Sequence, residues 1–504
     1  MLQVGQAVGT EHGVKVNSWY AEPFDPSRYP AFNKDMLKWY RDFTTGKIAH
    51  HYWVAFERIF MEKGFSFAIF TEEDLIYSPD FLALFRSTAW LLEADPSLWC
   101  VSAWNDIGFS DITSDHCRLQ RTTYFPGLGF LLTRQAWLEL REMWPEAPTM
   151  GWDYWMRTAF REKGKECVIP EIPRSHHFAE HGSSVNNKRQ LKLFSSMAWS
   201  MLPNRCDPSR PCFQFGDVSY LLGDGYERMM VDAARSAVLT TRAGLLAAAT
   251  SAIVHKGSEC QEQVTHLGVF EHLDQCAAAV LAQKAACPTP LFMFSKEAGW
   301  GCRCCRDNTR GNAHELWSMY EARPVQGARA ALDRHRLYAV PYLYEEWKSL
   351  SQMLGIQPPG TQNAIPADIR AEHHGAVFTR DTASKAWVLL LDRRSTKAYL
   401  PDDVRIKRRE DAQVHKAQPG RSCSAACSEH GLRCDNEQLH FINNCQTLKQ
   451  HFECKCAHQV GQDLPNYVSD KGNMNTAQCL VTFISPMKCE GKHPATQRLC
   501  ACVK

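Results

Sequence analysis

Three adjacent carboxylates, Glu72-Glu73-Asp74, close the apolar run Phe67-Ala68-Ile69-Phe70. A β-compatible segment that ends this abruptly in charge reads as a buried strand delivering acid groups to the edge of a sheet. Carboxylates so close repel one another. Away from open water they require a divalent cation, a basic partner or raised pKa values; facing water, the same residues are an ordinary solvated turn. A second charged pair stands in Gly151-Trp152-Asp153-Tyr154-Trp155-Met156-Arg157. Asp153 and Arg157 are four apart, so on a helix they share a face, where the guanidinium keeps the carboxylate ionised. That pair is either part of a site or a surface ion pair flanked by core tryptophans.

The elements that must carry these groups alternate between helix and strand. From Pro30 to Phe60 apolar residues recur at helical spacing, and Gly64 ends that helix before the strand at Phe67. Ser78-Pro79-Asp80 opens a helix over Phe81 to Leu92. Leu98 to Trp104 is a second strand, stopping at Asn105-Asp106, the end at which open α/β sheets hold ligands. Phe125-Pro126-Gly127-Leu128-Gly129 turns into a third apolar segment, and Arg134 to Trp144 is again helical.

With 504 residues the chain predicts two to four domains. A net charge of +2 gives no electrostatic case for nucleic acid or an anionic membrane as partner. Cysteine stands out: 21 residues, dense at 260–305 and again at 423–502. Cys302, Cys304 and Cys305 are too crowded for a zinc ribbon, so the pattern favours disulfides of a secretory compartment. The odd total leaves a thiol free or intermolecular. Met1-Leu2-Gln3-Val4 opens neither a charged nor an apolar signal region, and the run Ala243 to Val254 is too short to span a bilayer. The expectation is a chain that begins inside a longer protein carrying its targeting segment upstream.

Taken in order, several of these stretches resemble glycosyltransferase family 13, the inverting β-1,2-N-acetylglucosaminyltransferases acting on N-glycan mannose or O-linked mannose. They are Lys47-Ile48-Ala49-His50-His51-Tyr52, Glu72-Glu73-Asp74-Leu75, Ala94 to Asp106, Phe125 to Gly129, Trp144-Pro145, Trp152 to Arg157 and Cys167 to Arg174. The resemblance implies an α/β, GT-A-type, Rossmann-like nucleotide-sugar domain, here N-terminally truncated, plus small disulfide-rich modules. Asp74 matches the metal ligand, and Mn²⁺ is the family's ion. His51, Glu72, Glu73, Leu128, Trp152, Arg157, Ser183 and Ser184 match donor-site positions. Asp153 matches the catalytic base, and Cys100 with Cys167 a family disulfide. The implied partners are UDP-GlcNAc and a mannose-terminated glycoprotein glycan, in the Golgi lumen, with a type II membrane anchor upstream. Tyr154 stands where some members carry a second aspartate, Thr45 and Gly46 where aromatic residues are expected, and the family's first strand has no counterpart before Lys47. The rival reading is a non-catalytic lumenal binding protein built on a decayed transferase domain.

The expected layout is a transferase domain over 1–240, a cysteine-rich insertion over 255–310, the transferase's C-terminal part over 335–402, a charged linker at 405–420 and a cysteine-rich module over 421–504. The insertion looks like a PAN or apple module, or equally a disulfide-stapled spacer. The tail, from Ser422-Cys423-Ser424-Ala425-Ala426-Cys427 onward, resembles the cysteine-rich end of N-acetylglucosaminyltransferase V, in a structural or acceptor-orienting role. Zinc at Cys454-Lys455-Cys456 or Cys500-Ala501-Cys502 is an alternative that lacks the usual two-residue gap.

Overall fold

The computed structural model describes residues 10–11, 13–19, 44–144, 152–160, 163–178, 188–200, 215–240, 249–268, 273–282, 286–295, 300–324 and 332–504, the last with breaks at 333, 344–345, 348–349, 352–353, 355, 357–371, 383, 460, 474 and 483–486. The chain is mixed α/β, with nine disulfides among the described residues. The elements that matter for the site are α1 (Thr44–Phe56), β1 (Phe67–Phe70), β2 (Leu75–Tyr77), α2 (Phe81–Thr88), β3 (Leu98–Ser102), β4 (Leu119–Thr122), β5 (Phe130–Thr133), α3 (Arg134–Met143), α4 (Trp152–Ala159), β6 (Glu166–Pro170), β7 (Ser175–His177), α5 (Gly223–Ser236) and β8 (Val238–Leu239). Two compact units are formed, Met1–Phe70 with Leu131–Lys163, and Thr71–Phe130 with Gly164–Lys504.

The first unit is an aromatic assembly. α1 runs on as a wider π turn, Glu57–Glu62, and the chain leaves it at Gly64 with φ +71°. Phe56 and Trp53 pack around Trp137 and Trp144 at 5.0–5.9 Å between ring centroids, and Tyr52 stacks on Trp152 of α4 at 3.7 Å. Each such pair contributes roughly 0.5–1.5 kcal/mol beyond its buried area. Thr133 caps α3 by accepting the Ala136 N–H, and Trp137 Nε1 donates to Glu57 at 2.9 Å. The part of the predicted first helix before residue 44 lies outside the described residues.

In the second unit β3 and β6 run parallel and β4 pairs antiparallel to β6. Cys100 and Cys167 lie opposite one another on β3 and β6 and are disulfide-bonded. β2 and β7 form a separate antiparallel pair with Leu75 opposite His177. β8 then lies parallel to Leu337–Tyr342, which lies parallel to Trp387–Asp392, with Ala376–Arg380 antiparallel at the far edge. One core holds Trp104, Ile107, Phe109 and Ile169 together with Val340, Tyr342, Leu350 and Leu390. Residues far apart in the chain thus share one apolar interior, and burial of side chains of this size supplies the main driving force.

Between those pieces, residues 249–324 form their own five-stranded antiparallel sheet, in the order 263–268, 302–305, 291–294, 318–324, 249–255, covered by the helix Leu273–Ala282. Its cysteines close on one another as Cys260–Cys305, Cys276–Cys302 and Cys287–Cys304. The apolar run toward Val254 is its edge strand, Ala249–His255.

The tail corrects two expectations. Gln413–Lys416, inside the supposed charged linker, is a strand paired with Thr496–Val503. Ladder hydrogen bonds are made by backbone, so a polar strand with half its side chains exposed satisfies them as well as an apolar one. All ten tail cysteines form disulfides, Cys423–Cys500, Cys427–Cys502, Cys434–Cys489, Cys445–Cys456 and Cys454–Cys479, which removes the thiolates a zinc site there would need. Arg498 is fully buried and donates to the carbonyls of Lys488, Gly491 and Leu464 at 2.6–2.8 Å. No helix among the described residues is long and apolar enough to cross a membrane.

Candidate functional site

The acidic motif follows β1 and sits in the second unit at the start of β2. Glu73 is exposed, Glu72 and Asp74 are half-buried, and the Tyr77 hydroxyl donates to the Glu72 carbonyl at 3.1 Å. Asp74 is fixed on both sides. Its carbonyl accepts the Phe178 N–H at 3.1 Å, extending the β2–β7 ladder, and its Oδ2 lies 3.1 Å from His177 Nε2. Its other oxygen, Oδ1, is buried with no hydrogen-bond partner among the described residues. A buried carboxylate oxygen left this way costs about 1–3 kcal/mol or more unless something satisfies it.

β7 is anchored from below. Arg174 is buried and ion-paired with Asp80 at the start of α2, at 2.9 Å, and its N–H donates to the Ala103 carbonyl at 2.7 Å. His177 stacks on Phe194 at 4.5 Å. The Gly127-Leu128-Gly129 turn reaches the same ladder, because the Ser175 hydroxyl donates to the Leu128 carbonyl at 2.5 Å. All three turn residues have positive φ, +69°, +47° and +91°. A Cβ at Gly129 would meet the Phe81 ring at 3.2 Å. That requirement explains glycine on either side of Leu128, which alone bears the strain a side chain pays there. The structure therefore brings Asp74, the Leu128 turn and His177 onto one ladder. His177 was not singled out from sequence, although the dipeptide His176-His177 following the β6 motif carries the signal.

Of the remaining predicted residues, His51, Trp152, Asp153 and Arg157 stand in the first unit. His51 is an exposed residue of α1, Trp152 is buried against Tyr52, and Asp153 and Arg157 are ion-paired one helical turn apart at 3.1 Å. The Asp153 side chain is 45% exposed and that of Arg157 19%, so the carboxylate presents an open face while its cation is tucked in. Ser183 and Ser184 lie outside the described residues, and so does the side chain of Tyr154.

A second polar centre was also missed. Buried Glu166 lies 2.6 Å from His373 Nδ1 and 2.7 Å from Arg121 Nε. Burial opposes its charge, but His373 and Arg121 outweigh burial and hold its carboxyl below the usual range. His373 in turn faces Glu227, which Lys397 also contacts at 3.1 Å.

The family profile described as GNT-I matches residues 38–253. A curated relative, an alpha-1,3-mannosyl-glycoprotein 2-beta-N-acetylglucosaminyltransferase of Arabidopsis thaliana, is 40% identical over 139 residues, which are 28% of this chain and 31% of that protein. The chain thus spans about a third of the length of the relative it matches. The family inferred from the ordered motifs is the one found over this stretch.

Proposed function

We propose that this chain, which carries a GNT-I segment over residues 38–253, transfers N-acetylglucosamine from UDP-GlcNAc to a terminal mannose of a glycoprotein glycan, in β-1,2 linkage and with inversion. The observation that carries the reading is Asp74: a carboxylate whose one oxygen is held by His177 while the other is buried and unsatisfied among the described residues. A hard oxygen donor in that state suits Mn²⁺, with Asp74 holding it and His177 fixing the carboxylate's orientation. When bound, the ion offsets negative charge developing on a diphosphate leaving group.

The chain's own residues do the rest. Asp153, ion-paired with Arg157 at 3.1 Å, takes the proton of the acceptor hydroxyl as that oxygen attacks the anomeric carbon, a role worth about 10²–10⁴ in rate. Attack from the face opposite the leaving group turns an α-linked donor into a β-linked product in one displacement. Trp152, His51, Glu72, Glu73 and the strained Leu128 turn are assigned to donor positioning, within a GT-A-type fold. The disulfide density supports an oxidising compartment, and the Golgi lumen is the compartment this reading assigns.

The test is transfer from UDP-GlcNAc to a mannose-terminated acceptor with and without Mn²⁺, using the full-length protein. Metal-dependent product from the unaltered protein and its loss in Asp153→Asn are expected. No transfer by that protein overturns the reading, and full activity in Asp153→Asn overturns the base assignment.

A further inference from the structure

Within the second unit, apart from the Asp74 ladder, Glu166 of β6 meets His373 and His374, the residues that lead into the strand Ala376–Arg380. One ligand atom from each lies within 4.8 Å of the others. Glu166 Oε1 is 2.6 Å from His373 Nδ1, and Glu166 Oε2 is 3.7 Å from His374 Nε2. We propose that these three side chains bind a divalent transition-metal ion, zinc in the first place, as a clip between β6 and the turn at 373–375.

The donor set selects the ion. Two imidazoles and one carboxylate suit zinc, whereas magnesium and calcium demand oxygen. The surrounding shell is already built. Arg121 Nε donates to Glu166 Oε2 at 2.7 Å, leaving Oε1 as the ligand atom. The far nitrogen of His373 faces Glu227 Oε2 at 3.4 Å, the carboxylate–histidine arrangement that orients a metal-binding ring. Glu227 is fixed in turn by Lys397 at 3.1 Å and by the Tyr399 hydroxyl at 3.3 Å. Glu166 and His373 are buried, and His374, at 26% side-chain exposure, is the way in.

The backbone points the same way. His374 adopts φ +47°, disfavoured for a bulky side chain, followed by Gly375 at +91°. That turn sets two consecutive imidazoles against one carboxylate. On zinc binding the 2.6 Å contact between Glu166 Oε1 and His373 Nδ1 opens to the edge of a tetrahedron with 2.0–2.1 Å bonds, about 3.3 Å, and the hydrogen the two atoms share passes to solvent. The fourth position goes to water on the His374 side. Because Glu166 and His373 are 207 residues apart in sequence, metal bound there stabilises the folded chain against the unfolded one.

The experiment uses the full chain stripped with chelator, reloaded with Zn²⁺ or Co²⁺ and desalted. The expected result is about one equivalent of zinc in the unaltered protein and in Asp74→Ala, falling at least about tenfold in His374→Ala. The Co²⁺ form should show the intense visible bands of a four-coordinate site, and zinc should raise the thermal midpoint of the unaltered protein but not of His374→Ala. His374→Gln, closer in volume, is the second variant should the alanine form fail to fold. Zinc retained in a folded His374 variant, no zinc in the unaltered protein, or weak six-coordinate Co²⁺ bands would each overturn the proposal.

Discussion

At the scale of single residues, Asp74 and Asp153 do different work and should fail differently. Asp74→Ala removes the carboxylate assigned to the metal, so Mn²⁺ binding by calorimetry and transfer should fall together. Asp153→Asn keeps the helix face and the contact with Arg157 in shape, so Mn²⁺ affinity should persist while kcat drops about 10²–10⁴-fold. An outcome in which both variants lose metal equally would show that Asp153 acts through structure. Residue type and spacing singled these residues out as candidates, three adjacent acids and an Asp–Arg pair at helical spacing, while the roles proposed for them come from the resemblance to glycosyltransferase family 13. His177 was not among them, because its contact with Asp74 is made by a strand pairing across about a hundred residues of chain, which no local pattern encodes.

At the scale of elements, turns and ladders decide what those residues meet. The Gly127-Leu128-Gly129 turn is the clearest case, since Gly129 combines φ +91° with the Phe81 ring 3.2 Å from where a Cβ would stand. Gly129→Ala should therefore destabilise the protein by about 1–3 kcal/mol, read from a chemical denaturation midpoint, whereas Gly64→Ala, with φ +71° but open space, should cost less. The ion network joining β4, β6, α5 and the 372–397 segment gives a pH signature in the metal-free protein. Glu227 is partly buried, which opposes its charge, but His373 and Lys397 hold its pKa down to about 2 from an ordinary 4.5. Its contribution is complete above about 4.5 and is lost as pH falls from there toward about 2. His373, raised by Glu166 against the effect of burial, contributes below its ordinary 6.5 and is lost as pH rises through its raised value. Denaturation midpoints across pH should form a dome, with Glu227→Gln flattening the acid arm and, because Glu227 also helps to raise His373, weakening the alkaline arm to a smaller extent. Elsewhere several elements were readable from periodicity, including β1, β3 and α3. β4 was not, since Leu119-Gln120-Arg121-Thr122 is a buried strand whose Arg121 is satisfied by distant partners, Asp95 and Glu166.

At the scale of the whole molecule, the cysteines partition as the elements do. Every described bridge closes within one segment, Cys100–Cys167 within β3 and β6, three in residues 260–305 and five in 423–502. Cysteine density marked out the two disulfide-rich stretches, but pairing depends on which strands meet, and sequence alone admits too many connectivities to choose one. In the tail the strand Thr496–Val503 carries Cys500 and Cys502 back to the helix Cys423–Ser428, closing loops of 77 and 75 residues, while Cys445–Cys456 spans only 11. A crosslink restricts the unfolded chain more the longer its loop, by about 4–5 kcal/mol for the long bridges and about 3 for the short one. Replacing Cys423 and Cys500 together by serine should accordingly lower the denaturation midpoint of the tail more than replacing Cys445 and Cys456. The ranking has a second cause in the same direction: Cys423 and Cys500 are fully buried beside Leu499, whereas Cys445 lies nearer the surface, so the longer bridge also leaves the larger unfilled volume. Equal losses from the two pairs would mean that the reduced tail keeps its ends together without the bridge, through the ladder of Gln413–Lys416 on Thr496–Val503, and that the backbone pairing rather than the disulfide sets its stability.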